Sequence, residues 1–297
     1  MDIRGSICAL ATPFAADGSL DLPAYGRLID YQLENGTQGL VVAGSTGEAH
    51  MLDAAEFDRL VTFAVKHVAG RVPVIAGTGE AATAKTVEAT RHAATLGADA
   101  ALVVAPYYVR PTQEGMRRHF LEVADHAGVP ILLYNVPSRT ACDMQPETVA
   151  QLADHPAIIG VKEARGDDER IQALAKLARP GFVFLSGDDY SAARAMLAGA
   201  AGTVSVVANL VPKAFREFCD AATARDATAT ARCGDALAPL LAALTCAPNP
   251  IAVKAGLPEL GFGAATPRLP LVELAEGAER ARIRETLAQL APRRRAA

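Results

Sequence analysis

Eight short apolar segments, spaced along the first three quarters of the chain, constrain its fold more than any other feature. They lie roughly 20 to 35 residues apart, at 6–12, 39–44, 72–77, 100–106, 130–136, 158–164, 182–188 and 202–208. Most are continuously apolar, which is typical of parallel strands covered on both faces. Amphipathic helical patterns separate them. Eight such units predict an α/β protein with a (β/α)₈ TIM barrel rather than an open doubly wound sheet.

Local signals support this alternation of strands and helices. The helical pattern at 53–68 begins with Asp53 and Glu56, which are spaced as a capping box. The pattern at 83–96 is followed by Gly97, a common helix stop. No Gly-x-Gly-x-x-Gly follows the first segment, which disfavours a dinucleotide-binding fold.

The strand-like segments end before about residue 225, and the rest of the chain has helical patterns. These patterns cover residues 228–246, 251–257 and 271–290. The sequence therefore predicts a catalytic barrel over 1–225 and a C-terminal helical domain over 226–297. The arginines at 293–295 are expected to form a solvated end.

Composition excludes several classes of partner. The net charge of −4 and the pI near 5.9 argue against nucleic acid or an anionic membrane surface. No apolar run approaches the roughly 18 residues of a membrane span. The five scattered cysteines and six histidines show no metal-ligand spacing, so we expect reduced thiols, a cytoplasmic location and no metal.

Lys162 is a lysine within a strand that is otherwise apolar, Ile-Ile-Gly-Val-Lys-Glu-Ala at 158–164. Burial is unfavourable for a hydrated ammonium, and it favours the nucleophilic amine needed for Schiff-base chemistry with a carbonyl substrate. The alternative is a strand-end lysine that reaches solvent or pairs with Glu163 or Asp188. The segment alone leaves both interpretations open.

Reactive side chains follow the carboxyl ends of the predicted strands, where the active sites of TIM barrels lie. Gly-Ser-Thr-Gly-Glu at 44–48 offers hydroxyls and closely approachable backbone amides for a small carboxylate. Tyr134 ends the strand before that of Lys162, so its phenol can lie over the amine and move protons. Arg139, in the loop that follows, can hold a carboxylate in bidentate fashion. Taken one at a time, these residues could equally be a tight turn, a core tyrosine and a surface arginine.

These motifs together resemble the pyruvate-dependent class I aldolase family, which includes N-acetylneuraminate lyase and the dihydrodipicolinate synthases. The resemblance covers almost the whole chain. Its motifs are Gly-Ser-Thr-Gly-Glu at 44–48, Pro-Tyr-Tyr-Val-Arg-Pro at 106–111, Tyr-Asn-Val-Pro-Ser-Arg-Thr at 134–140, Gly-Val-Lys-Glu-Ala at 160–164, Leu-Ser-Gly-Asp-Asp at 185–189 and Pro-Asn-Pro-Ile at 248–251. The tyrosine-containing motifs point to the synthase branch.

The resemblance implies a lyase in which Lys162 forms a Schiff base with pyruvate. Tyr134 would donate and accept protons, linked through Ser45 to Tyr108, which in the family comes from a neighbouring subunit. The enamine would attack L-aspartate 4-semialdehyde on the diaminopimelate route to lysine. Apart from this covalent lysine–pyruvate imine, no cofactor is implied, and the expected assembly is a homotetramer, a dimer of tight dimers.

The resemblance also assigns the residues that bind the substrates. Thr46 would hold the pyruvate carboxylate, largely through its backbone amide. The backbone at Val204 would be a further pyruvate contact, and Gly187 would line the same mouth. Arg139 would orient the carboxylate of the semialdehyde. Ser45 departs from the threonine that is usual in the synthase branch but keeps the hydroxyl.

The regulatory positions depart further from the family pattern. Relatives that are inhibited by L-lysine use Ser, His, Asn and Glu side chains at their effector site. The matching residues here are Ala49, Ala54, Phe57, Ala81 and Lys85. Hydrogen-bonding groups are lost and Lys85 is positive where an acidic residue would hold the effector's ammonium. The sequence therefore predicts weak or absent feedback inhibition.

Three other functions are weighed against this one. Another pyruvate-dependent aldolase would act on a sugar acid or N-acetylneuraminate, but the carboxylate site that Arg139 supplies favours a short acceptor. A barrel that only binds a keto acid would not need Lys162 and Tyr134. A phosphate-binding barrel isomerase needs an anion site after strands seven and eight, where Asp188 and Asp189 would repel phosphate.

Overall fold

A computed structural model describes residues 2–290, so the arginines at 293–295 lie outside the described residues. Within that range eight parallel strands close into a barrel in chain order, with β1 paired to both β2 and β8. The strands are β1 Gly5–Ala9, β2 Gly39–Val42, β3 Val74–Gly77, β4 Ala100–Val104, β5 Ile131–Asn135, β6 Ile158–Glu163, β7 Val183–Ser186 and β8 Gly202–Ser205. All eight predicted strands are confirmed. Most end slightly earlier than predicted, because the residues at the rim leave the sheet to form loops.

Helices follow each strand and cover the outside of the barrel. They are α1 Leu22–Glu34, α2 Ala54–Val68, α3 Thr83–Thr95, α4 Gln113–His126, α5 Pro137–Thr140, α6 Pro146–Leu152, α7 Asp168–Ala175, α8 Ala192–Ala198 and α9 Pro212–Thr223. The predicted capping box is present: Asp53 accepts from the Glu56 amide, and the Glu56 side chain accepts from the Asp53 amide. Gly97 adopts φ +92° just beyond α3, a left-handed conformation that glycine tolerates and that ends the helix.

Strand side chains alternate between the barrel interior and the layer under the helices. The interior is filled by a cluster that contains Leu132, Tyr134, Leu185 and Val204, whereas residues such as Val161 pack outward among the helices. The pairing of β5 with β6 shifts by one residue, so that Leu132 is opposite Gly160 and Tyr134 is opposite Lys162. As a result Tyr134 and Lys162 lie side by side near the carboxyl end of the barrel.

The C-terminal part is helical, as predicted. It contains α10 Ala227–Ala243, α11 Ile251–Gly256 and α12 Ala278–Leu290. Helix α10 packs on α8 and α9, and α12 packs on α10 and α11. The predicted helix over 271–290 is wrong for its first seven residues, because 271–277 are not helical. That stretch is mostly exposed, Val272 included, with Leu274 only partly buried, and Gly277 immediately precedes the helix.

The described residues include no single helix with the length and apolar character of a membrane span. A bent pair, Ala227–Cys246 with Ile251–Leu260, meets the same test by length and composition only.

Candidate active site

Tyr134 and Lys162 form a close pair inside the barrel. The Lys162 Nζ lies 3.9 Å from the centroid of the Tyr134 ring, and the two residues are only 6% and 7% exposed. The carboxylates considered as alternative partners are engaged elsewhere: Glu163 contacts Asn135, and Asp188 accepts from Ser191. The lysine is therefore neither solvated nor paired with those two carboxylates. Its amine lies against an aromatic face in an apolar interior.

Glu163 follows Lys162 but points to the opposite face of β6, into a buried polar network. Its carboxylate accepts from the Asn135 side chain at 2.9 Å and from the Arg165 amide at 2.8 Å, and it lies 3.7 Å from Arg170 Nη1. Burial raises the pKa of Glu163 to about 7, although these partners oppose the shift. The alternation along β6 thus separates a buried acid from the interior lysine.

The pKa of Glu163 makes a prediction about stability. A carboxyl whose pKa is raised from 4.5 to about 7 by folding binds more protons in the folded state, so its contribution to stability is lost as pH rises. Between pH 5 and 8 the wild type should lose ~2 kcal/mol relative to Glu163→Gln, which cannot ionise. Urea unfolding of both proteins across that range measures the difference. A difference that stays constant with pH, or that grows in favour of the wild type, would contradict this assignment.

The loop at 44–48 presents unused hydrogen-bond donors. Ala43, just before the loop, and Glu48, its last residue, have left-handed φ angles of +48° and +57°, respectively. Within residues 2–290 the amides of Ser45, Thr46 and Gly47 have no hydrogen-bond acceptor, whereas that of Glu48 bonds to the Ser45 carbonyl. Consecutive free amides at such a turn form a concave site for a small anion. The predicted carboxylate site is therefore physically reasonable.

Asn249 connects the two predicted carboxylate-binding residues. Its side-chain Nδ2 donates to Thr46 Oγ1 at 3.0 Å, and its carbonyl oxygen accepts from Arg139 Nη2 at 2.9 Å. A cavity of about 260 Å³ is lined by Ser45, Arg139 and Asn249, among others. Sequence reasoning noticed the motif at 248–251 but gave Asn249 no role. Asn249 is 110 residues from Arg139 and 203 residues from Thr46 in the sequence, so local spacing could not predict these contacts.

A second contact missed by sequence reasoning joins the same two segments. Lys254 Nζ lies 2.5 Å from Glu48 Oε1, and both side chains are fully buried. The ammonium is also 4.2 Å from the centroid of the Phe14 ring, and Glu48 Oε2 accepts from the Arg268 amide. Burial lowers the pKa of Lys254, and the Glu48 carboxylate opposes that shift. A buried ion pair with these additional contacts fixes α11 against the loop at 44–48.

Ser45 and Tyr108 differ in how close they lie to the lysine. Ser45 and Tyr134 line one cavity of about 420 Å³, and no direct hydrogen bond joins their hydroxyls. Tyr108 is 89% exposed and has a left-handed φ of +71°. Within a single chain it does not join the pair. Its predicted position in the relay depends on a neighbouring subunit and stays a prediction.

The remaining predicted residues lie at the ends of β7 and β8. Gly187 is next to the lysine: a Cβ at this position would lie 2.9 Å from Lys162 Cε, so a larger residue would displace the lysine side chain. Val204 is buried in the interior cluster with Tyr134. Asp189 Oδ2 accepts from the amides of Val206 and Val207. This carboxylate therefore occupies the position after β7 and β8 where a phosphate-binding barrel would bind its anion. The phosphate-binding alternative is therefore disfavoured.

No cluster of three or more His, Cys, Asp or Glu side chains suited to a metal occurs in the described part of the chain. The site combines one buried amine, an adjacent phenol and donors for two carboxylates. This set can form an imine with a keto acid and move protons around it.

Comparison with known proteins identifies relatives over nearly the full chain. The sequence model of the Dihydrodipicolinate synthetase family matches residues 2–290. The 4-hydroxy-tetrahydrodipicolinate synthase of Stenotrophomonas maltophilia (strain K279a) is 54% identical over 274 residues, which are 92% of this chain and 92% of the relative. The enzyme of the same name from Xanthomonas axonopodis pv. citri is 55% identical, over 92% of this chain and 90% of its own.

Solved structures agree with these sequence matches. A chloride-inhibited dihydrodipicolinate synthase from Acinetobacter baumannii, complexed with pyruvate, superposes with a TM-score of 0.94 at 40% identity and covers 97% of this chain and 99% of its own. The dihydrodipicolinate synthase of Aquifex aeolicus gives a TM-score of 0.93 at 40% identity, with 97% and 98% covered.

Proposed function

Because the chain belongs to the dihydrodipicolinate synthetase family, we propose that Lys162 carries out its reaction as a Schiff-base nucleophile. The chain is a lyase with 4-hydroxy-tetrahydrodipicolinate synthase activity, which condenses pyruvate with L-aspartate 4-semialdehyde in the diaminopimelate route. The observation that carries the mechanism is the buried Lys162 amine, 3.9 Å from the Tyr134 ring centroid.

The chemistry follows from the properties of a buried amine. The Lys162 amine attacks the ketone carbon of pyruvate, and water leaves to give a protonated imine. That imine withdraws electrons, so a proton leaves the methyl carbon and an enamine forms. The enamine carbon attacks the aldehyde carbon of the semialdehyde and makes the new carbon–carbon bond, while the aldehyde oxygen takes up a proton to become a hydroxyl and the imine on Lys162 re-forms. The amino group of the semialdehyde portion then displaces Lys162 from the imine carbon, which closes the ring and frees the lysine.

The site also explains how the two substrates are kept apart. The free amides of the loop at 44–48, with the Thr46 hydroxyl, receive the pyruvate carboxylate. Arg139 receives the carboxylate of the semialdehyde. Gly187 leaves space for the lysine side chain, and the backbone at Val204 supplies a further pyruvate contact. Two separate anion sites direct the ketone toward the amine and the aldehyde toward the enamine.

Proton transfer requires a phenol beside the imine, and Tyr134 occupies that position. Ser45 lines the same cavity and would pass the proton to a tyrosine from another subunit. The exposed, left-handed Tyr108 is suited to that role because its ring is not packed against its own chain. A homotetramer built as a dimer of tight dimers would supply it, and each active site would then need two chains.

The family is consistent with catalysis that uses no external cofactor, and the covalent lysine–pyruvate imine replaces one. We propose a cytoplasmic location, as expected for a biosynthetic enzyme with reduced cysteines. On this proposal, Lys162 and Tyr134 belong to the catalytic barrel predicted over 1–225, and Asn249 belongs to the C-terminal helical domain predicted over 226–297.

The acceptor aldehyde is tested by a coupled assay. Initial rates with pyruvate should be measured with L-aspartate 4-semialdehyde, N-acetylmannosamine and glyceraldehyde under the same conditions. We expect kcat/KM for the semialdehyde to exceed the others by a factor on the order of 10³, because only this acceptor offers Arg139 its short-chain carboxylate. Higher activity with either of the other two aldehydes would favour a sugar-acid aldolase instead.

L-lysine is predicted to have little effect on the rate. Ala49, Ala54, Phe57 and Lys85 line the cavity of about 420 Å³ and offer no hydroxyl, imidazole or amide to the effector. We expect initial rates to fall by less than about a tenth at 1 mM L-lysine, with the same concentration of sodium chloride as control. Half-maximal inhibition below about 1 mM, roughly −4 kcal/mol of binding, would contradict the prediction.

A further inference from the structure

The Thr46 hydroxyl is buried and accepts a hydrogen bond but donates none among the described residues. Thr46 is 3% exposed, and its hydroxyl oxygen accepts from Asn249 Nδ2. A hydroxyl has one hydrogen to donate, and among residues 2–290 the Thr46 hydroxyl donates to no acceptor, although Asn249 Oδ1 is itself a buried acceptor without a partner. A buried donor without a partner is unfavourable unless a ligand supplies the acceptor.

The direction of the Asn249 hydrogen bond has a chemical consequence. Because the amide donates, the threonine oxygen is the acceptor in this bond, and the hydroxyl hydrogen is available to a ligand. The free amides of Ser45, Thr46 and Gly47 are donors in the same loop. With the hydroxyl they make a set composed entirely of donors, which binds a carboxylate more strongly than a neutral ester because hydrogen bonds to an anionic acceptor are stronger.

The position of Asn249 is fixed from both sides of this contact. The buried pair of Lys254 and Glu48 holds α11 to the same loop, and Asn249 immediately precedes the start of that helix. On the other side, Arg139 donates to the Asn249 carbonyl oxygen. The main chain at Asn249 is thus held by groups that do not themselves contact the Thr46 hydroxyl.

We propose that Asn249 is a positioning residue which, by donating to Thr46 Oγ1, makes the Thr46 hydroxyl a donor to the carboxylate of the keto acid. This inference rests on the proposed function, since it assumes that pyruvate binds at the loop 44–48. It goes further in assigning the recognition of the carboxylate to a residue of the C-terminal part.

The isosteric change Asn249→Asp tests the direction of the hydrogen bond. An aspartate at this position would accept from the Thr46 hydroxyl, so the threonine would turn its oxygen lone pairs toward the substrate carboxylate. The contact between Arg139 and the main-chain carbonyl would remain. Asn35→Asp serves as the control for the same change of charge elsewhere, because the Asn35 side chain donates to the Tyr31 carbonyl in α1.

The readout is the second-order rate of borohydride trapping on Lys162 with pyruvate and with its neutral ester, methyl pyruvate. Asn249→Asp should slow trapping with pyruvate by about tenfold or more but slow trapping with methyl pyruvate by less than about threefold. Asn249→Ala, which leaves the hydroxyl free to rotate, should show a smaller loss with the same selectivity. It replaces the aspartate variant if that variant does not fold, as judged by circular dichroism.

Equal effects on the two ketones, or no effect on either, would overturn the role of Asn249. The wild-type reaction separates this failure from failure of the proposed function. If the wild type is trapped on Lys162 and the variants show no selectivity, only the inference is wrong. If the wild type forms no adduct with pyruvate, the proposed function itself is wrong.

Discussion

Lys162→Arg is expected to lower kcat/KM by a factor on the order of 10⁴ or more, because a guanidinium keeps the positive charge but cannot form an imine. The loss should appear almost entirely in kcat, since the groups proposed to bind the two carboxylates are untouched. Initial rates in the coupled assay with pyruvate and L-aspartate 4-semialdehyde measure it. Circular dichroism and thermal unfolding should show that the barrel still forms.

A matched control is available at an exposed lysine. Lys213 lies at the start of α9, and Lys213→Arg makes the same chemical change outside the barrel interior. Its rate should stay within about twofold of the wild type, as expected for a surface substitution. If Lys162→Arg retained a tenth or more of the wild-type rate, Lys162 could not be the nucleophile.

Tyr134→Phe is expected to lower kcat by about 10²- to 10³-fold, the usual contribution of a positioned acid–base group. The phenylalanine ring still covers the Lys162 amine, so packing is preserved while the proton-carrying hydroxyl is lost. The KM values for both substrates should change by less than about threefold, because no carboxylate contact is removed. Steady-state kinetics with each substrate varied in turn separates the two constants.

Tyr190→Phe is the control for the tyrosine variant, because Tyr190 is 55% exposed and lies outside the interior cluster. It should leave kcat within about twofold of the wild type. A Tyr134→Phe enzyme with near-normal kcat would show that another group carries the proton. A rise in both KM values at constant kcat would assign Tyr134 to substrate binding instead.

The sequence was sufficient for the barrel because its physical basis is local. A parallel strand covered on both faces must be apolar throughout, and eight such segments leave few ways to bury them. The adjacency of Tyr134 and Lys162 was also predictable, since consecutive parallel strands pair in a TIM barrel. The extended helix predicted from 271 was wrong because periodicity alone does not show whether a segment has a surface to pack against.

Contacts between distant segments could not be predicted in the same way. Glu48 and Lys254 are 206 residues apart, and nothing in the local pattern of either segment indicates a buried ion pair. Asn249 was visible as part of a motif, but its hydrogen bond to Thr46 depends on how the C-terminal helices pack on the rim. Lys254 and Asn249 belong to the C-terminal helical part, which contains no strand of the barrel, yet they contact the loop at 44–48 that is proposed to bind substrate.

The proposed nucleophile, Lys162, is a buried lysine in the barrel interior. Its amine lies against the face of the Tyr134 ring, and the neighbouring Glu163 bonds to Asn135 instead. The alternation of β6 directs Glu163 into its own network behind the sheet, away from the amine. The strand thus keeps a basic and an acidic side chain next to each other in sequence but on opposite faces.

The most direct test is to reduce the enzyme with sodium borohydride in the presence of pyruvate and to map the modified peptide by mass spectrometry. The account predicts one reduced pyruvate adduct per chain, located on Lys162 and absent when pyruvate or borohydride is omitted. No adduct, or an adduct on another lysine such as Lys85 or Lys254, would contradict the Schiff-base mechanism.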